Sequence, residues 1–111
     1  MSINARIMAA LAPLKIPTYF LESPTSAVAP YVMFQTYNEE DSDYQDDVST
    51  SEISYVNMSF WYKKPSDFSK AKAIKTAMKD AGFIFDGGKD MKDSAENLFG
   101  KELDFIYKEF N

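Results

Sequence analysis

The stretch SEISYVNMSFWYKKPSDFSKAKAIKTAMKDAG, Ser51 to Gly82, decides the fold, because a strand, a break and a helix follow one another within it. From Val56 the apolar side chains take every second position, Val56, Met58, Phe60 and Tyr62, with Asn57, Ser59 and Lys63 on the other parity. A period of two marks a strand with one buried face; Trp61 interrupts its polar side. Pro65 has no amide to donate and biases Lys64 away from helical dihedrals, so the strand ends there. Ser66 or Asp67 then stands where a side-chain oxygen can accept first-turn amides. Phe68, Ala71, Ile74, Ala77, Met78 and Ala81 recur at spacings of three and four, while Lys70, Lys72, Lys75, Lys79 and Asp80 take the wet side of the same helix. Gly82 ends it, since glycine enters the left-handed C′ conformation without a Cβ clash.

Upstream, Ser2 is placed to cap a helix over residues 2–12 whose stripe is Ile3, Ile7, Ala10, Leu11 and Leu14, with Pro13 and Pro17 stopping it. Residues 16–30 hold Pro17, Pro24, Pro30 and the small-residue patch SPTSAVAP, which predicts an extended surface connection. YVMFQTY, residues 31–37, predicts a strand with Val32 and Phe34 on one face and Tyr31, Met33 and Tyr37 on the other. NEEDSDYQDD, residues 38–47, carries Glu39, Glu40, Asp41, Asp43, Asp46 and Asp47, a density that must stay in water and predicts a solvated loop. A calcium loop counted from Asp41 to Glu52 puts Asp46 where the sharp turn needs glycine, between flanks that read as strands, so no metal site is expected. Downstream, Gly82 to Phe85 begins a strand, Asp86-Gly87-Gly88-Lys89 predicts a turn, and residues 89–100 a polar connection with a helical turn near Ser94 to Leu98. KELDFIYKEF, residues 101–110, alternates as the last strand, with Leu103, Phe105 and Tyr107 on one face.

At 111 residues the chain reads as a single domain, residues 1–111, and 45% hydrophobic with 15% aromatic residues places it among folded globular proteins. The order helix, strand, strand, helix, strand, strand predicts an α+β fold: a four-stranded, mainly antiparallel sheet with both helices packed on one face. Trp61, Tyr31, Met33 and Ile106 fall on the opposite face, where aromatic area marks an interface. With no histidine and no cysteine, the commonest general base, thiolate nucleophiles and disulfides are excluded. Ser42, Ser49, Ser51 and Ser54 lack a suitable base, so the expectation is a protein that is not an enzyme and uses no cofactor. No apolar run approaches the length that crosses a bilayer. A net charge of −5 argues against a surface that grips phosphate backbones.

The segments LAPLKIPTYF, YVMFQTYNEE with its following acidic DD turn, FWYKKPSDFSKA, MKDAGFIF and ELDFIYKEF, in this order and spacing, resemble the small tail-completion proteins of long-tailed bacteriophages and prophages of Gram-positive bacteria, the head-tail joining or tail terminator proteins. The resemblance runs from Leu11 to Phe110, and the segment Phe85 to Leu98 departs from it. It implies a virion protein that caps the tail tube and joins it to the head connector as a hexameric ring, with the tube protein, the connector proteins and further copies of itself as partners. DNA would pass through the ring without specific binding, and no membrane would be involved. On this reading the interface residues are Glu39, Glu40, Asp41, Asp43, Tyr44, Asp46 and Asp47, projecting from the sheet, together with Trp61, Tyr31 and Met33. The competing expectation is an acidic DNA mimic that inhibits a nuclease, or another small protein-binding module.

Overall fold

The computed structural model describes residues 1–22, 27–45 and 48–110. Ser2 caps the first helix as its position predicts, its hydroxyl accepting the Ala5 amide at 3.1 Å. This helix, α1, spans Ile3–Leu11, and Pro13 lies in the single 3-10 turn Ala12–Leu14 that follows. The strands are β1 (Thr18–Phe20), β2 (Tyr31–Gln45), β3 (Val48–Tyr62), β4 (Ile84–Asp93) and β5 (Leu98–Phe110), and α2 (Ser69–Asp80) lies between β3 and β4. They form one sheet in the order β1-β2-β3-β5-β4, with β1 parallel to β2 and every other pair antiparallel.

The α+β class holds, but the sheet is five-stranded and mixed rather than four-stranded. The added strand is β1, inside the segment expected to be a surface connection. Three residues after Pro17 are too few to show a period; they become a strand because β2 offers them an edge, with the Val32 amide donating to the Pro17 carbonyl and the Leu21 amide to Phe34, both at 2.8 Å. Residues 38–45 are also strand, not loop. A carboxylate on a strand wet on both faces is as well solvated as one on a loop, so acidity did not break the ladder. The expected prolines' connection includes Ser23 to Ser26, and with them Pro24, which lie outside the described residues.

The break at Pro65 and the helix stop behave as expected in outline and differ in detail. Pro65–Asp67 is a 3-10 turn, and neither Ser66 nor Asp67 caps α2; Phe68 holds that position without a side-chain hydrogen bond. Asp67 is instead buried and paired with Lys70 Nζ at 2.8 Å. At the other end Gly82 has φ of 97°. Its amide donates to Lys79 and that of Phe83 to Met78, at 3.0 and 3.1 Å, a paired closure of the last carbonyls.

One face of the sheet carries the core. Val32, Phe34, Val56, Met58, Phe60, Leu103 and Phe105 pack with Ile7 and Leu11 of α1 and Ala71, Ile74 and Met78 of α2 in a single cluster. Phe68, expected in that stripe, is 54% exposed, because it precedes the helix and packs edge-on against Tyr62 alone of the core rings. Phe60 and Phe105 are fully buried. Truncating either to alanine removes about 3–5 kcal/mol.

The glycine pair of β4 makes a bulge, not a turn. Pairing with β5 jumps between Phe85 and Gly88, so Gly87, at φ of 102°, is the extra residue. A side chain on Gly88 would collide with the Glu102 carbonyl oxygen. The four residues after β4, Ser94 to Asn97, form the turn, and β5 begins at Leu98, three residues before the expected start. Gly100 is required for a second reason: the Trp61 ring lies over it, and a Cβ there would stand 2.6 Å from Cζ3. We expect Gly100→Ala to cost about 1–3 kcal/mol by displacing the ring, and Gly88→Ala to cost more, because backbone cannot step aside. Trp61 is the only tryptophan. Its emission during thermal unfolding checks both: Gly100→Ala shifts the native spectrum, whereas Gly88→Ala lowers the midpoint with the smaller change in native emission.

Candidate functional site

The residues predicted to form an interface fall at opposite ends of the sheet. Tyr31 stands directly across from Trp61, and Met33 across from Ser59. From there to Tyr44 is thirteen residues of one strand, about 44 Å at 3.4 Å per residue, on a molecule 53 Å in its longest extent. Trp61, Tyr31 and Met33 are half-buried rather than exposed. Tyr19 of β1 packs edge-on against Tyr31 at 6.1 Å, Trp61 covers Gly100, and the indole donates to Ser59 Oγ at 3.2 Å. Ile106, expected beside them, lies mid-sheet between Tyr55 and Ile84. Between the two apolar areas runs a polar belt, where Asn57 Nδ2 donates to Glu102 at 2.6 Å and Asp104 at 2.8 Å.

At the far end β2, β3 and β5 continue beyond the helices as an arm. Glu39, Glu40, Asp41, Asp43 and Tyr44 are on it, and all but the αL kink at Asp43, φ 54°, continue the strand alternation. Asp46 and Asp47 lie outside the described residues. Register places Asp41 opposite Glu52 and Glu52 opposite Glu109, so three carboxylates cross three strands in one row on the helix side. Like charges in direct cross-strand positions are destabilising. Arg6, stacked 5.0 Å above the Tyr107 ring, reaches Glu109 at 3.3 Å and relieves one end of the row. The calcium-loop positions Asp41 and Glu52 are therefore strand partners on a hairpin.

The opposite face of the arm is braced. Asp43 Oδ2 accepts from Lys108 Nζ at 2.5 Å and from the buried Ser51 hydroxyl at 2.8 Å. The lysine contact first, and the serine second, hold the Asp43 carboxyl below its usual range. Tyr55 donates to Glu40 at 2.7 Å, and this bond raises the Tyr55 phenol above its ordinary value. Tyr37, 6.1 Å from the Tyr55 ring, is raised first by desolvation and then by Asp104, Asp86 and Glu102.

A third surface was missed from sequence. On the helix side, α2, the edge strand β4 and its neighbour β5 enclose an open groove of about 780 Å³ with Phe85, Leu103 and Gly88 on its floor and Lys72, Lys75, Lys79 and Lys101 around it. The helical lysines were legible as a wet face. Their meeting with Phe85 and Lys101 was not, because it needs β4 to extend the sheet past α2. Lys75 Nζ sits 4.0 Å over the Phe85 ring, and Lys101 pairs with Asp90 at 3.2 Å.

The Asp43–Lys108 contact sets an acid limit on the braced arm. A carboxyl lowered in the folded state contributes stability above its unfolded pKa, near 3.9, and that contribution is lost as pH falls through the lower folded value. We expect the Asp43 carboxyl resonance to titrate below the ordinary range, to move up in Lys108→Met, and the arm amides to lose exchange protection as it protonates. An unchanged titration in Lys108→Met would assign the shift elsewhere.

No family model matches the chain, and no curated protein matches it. Among solved structures, its fold is similar to that of a chain in the virion of a native gene transfer agent particle, with a TM-score of 0.64 and 17% sequence identity over 99% of this chain and 92% of that one.

Proposed function

We propose that this chain is a structural component of a phage-like virion. More specifically, it is a tail-completion protein that caps the tail tube and joins it to the head connector, as a hexameric ring around the DNA channel. Its partners are copies of itself, the tube protein and the connector proteins, and its task is to supply shape and adhesive area instead of turning over a substrate. The observation that carries this reading is the fold similarity, end to end in both chains, to a component of a gene transfer agent particle. The tail-completion role rests on the order of sequence segments from Leu11 to Phe110.

The surfaces support it physically. A closed cyclic assembly joins unlike patches on successive subunits, and this molecule carries an acidic arm at one end and a lysine-lined groove on its helix side. An acidic chain, with a net charge of −5, suits a ring that a phosphate backbone passes through, whereas a basic one would hold it. Where a solvated loop is expected, Asn38 to Gln45 is strand in the arm, so this acidic surface is a sheet end and not a flexible tether.

Removing the gene from a producing strain should leave filled heads and completed tubes that do not join, counted by electron microscopy, and mass spectrometry of purified wild-type particles should find the chain. Joined, infectious particles without it would overturn the proposal. Binding to a nuclease with no affinity for tube protein would favour the DNA-mimic reading.

A further inference from the structure

We propose that the lysine-lined groove of one copy receives the acidic arm of a second copy. This inference rests on the assembly reading for its setting and names the contact between subunits. The groove has an apolar floor of Phe85 and Leu103 beneath Lys72, Lys75 and Lys79. Among the described residues Lys72 and Lys79 make no ion pair, and Phe68 at the groove's end is 54% exposed. An occupant must bring carboxylates for the rim and apolar side chains for the floor.

The arm brings both. From residue 16 to residue 62 the sequence has no lysine or arginine and eight acidic residues, whereas residues 63–82 hold six lysines and two aspartates. On the arm's helix side, Asp41 and Glu52 are cross-strand partners without a cation among the described residues. At its end Tyr44 and Val48 are 66% and 65% exposed. A row of like charges that is unfavourable in the free subunit becomes favourable against lysines. Burying Tyr44 and Val48 adds the apolar part.

The arm cannot fill its own groove. Groove residue Leu103 is registered with Met58, and Ser49, opposite Tyr44, lies nine residues further along β3. That is about 30 Å of continuous strand, so the contact is between molecules. It joins unlike surfaces, and repeats of it close into a ring or continue as a filament.

The chain has no cysteine, so disulfide trapping has no background. Tyr44→Cys and Thr76→Cys place one thiol at the arm end and one on the groove wall. Mixed under mild oxidation, the two variants should form a heterodimer faster than either forms a homodimer, with the rate falling as salt rises. Lys72→Glu with Lys79→Glu should slow it by roughly tenfold or more, and Glu39→Lys with Asp41→Lys on the arm partner should restore it. Trp61 emission verifies that each variant is folded.

Equal rates for hetero- and homodimer, or a rate unmoved by charge reversal, would overturn the proposal. So would duplex DNA that binds at the groove and shields the thiol of the Thr76→Cys variant while no heterodimer forms, which would make the groove a nucleic-acid site. The two readings fail separately: purified particles containing the chain without arm-to-groove trapping would retain the assembly role and reject this contact. Trapping by a chain absent from particles would do the reverse.

Discussion

Everything in the molecule depends on β3 being paired on both sides. β2 pairs with it from Val48 to Trp61 and β5 from Ser51 to Tyr62, so nearly every backbone donor and acceptor of a fifteen-residue strand is used within the sheet. Its alternating side chains then do two jobs. Ser54, Val56, Met58, Phe60 and Tyr62 are buried on the helix side, and Asn57, Ser59 and Trp61 organise the other face. Strands of globular proteins are usually 3–10 residues long. The extra length holds an end without helices rigidly away from the end that has them.

The same strand explains what could be read in advance. The period of two from Val56 to Tyr62, the helical spacing from Ala71 to Met78, the Ser2 cap and the Gly82 stop are local signals, and each appears in the fold as expected. The misread strands and the misread turn share one cause, which is pairing between distant segments, whereas the cap and Phe68 were misplaced by the local 3-10 turn Pro65–Asp67. Thr18–Phe20 is a strand only because β2 has a free edge beside it. Asn38 to Gln45 stays in the ladder because β3 holds it, although its composition is that of a loop. Gly87 and Gly88 look like a turn until Glu102 of β5 is placed against them. For the site, the acidic residues were legible and their arrangement was not: a row of Asp41, Glu52 and Glu109 spans 68 residues of sequence and exists only in the register of three strands.

Net charge conceals this arrangement. A value of −5 describes an ordinary acidic domain, yet the charges are unevenly placed: residues 31–62 carry seven acids and no lysine or arginine, α2 carries four lysines and one aspartate, and β4 and β5 carry both signs. Screening at physiological salt acts over about 8 Å, so a patch on the arm and a patch on α2 of the same subunit, tens of ångströms apart, barely feel each other. Each is effectively a separate surface, and a neighbour meets whichever one it approaches.

The acids on the arm also decide which neighbour is refused. Beyond Phe34, β2 has no partner on its outer side among the described residues, leaving the edge from Gln35 to Gln45 with open backbone groups. Such an edge invites pairing with the same edge of another copy. Two arms meeting in that way, in the registers that overlap them most, would set Glu39, Glu40, Asp41 and Asp43 against their own equivalents, and that repulsion opposes the association. A surface that supplies lysines instead of carboxylates meets no such barrier. Discrimination is a difference between two free energies, and the acidic arm acts on both: it disfavours arm against arm and favours arm against groove, turning an exposed strand edge from an aggregation hazard into a contact with direction.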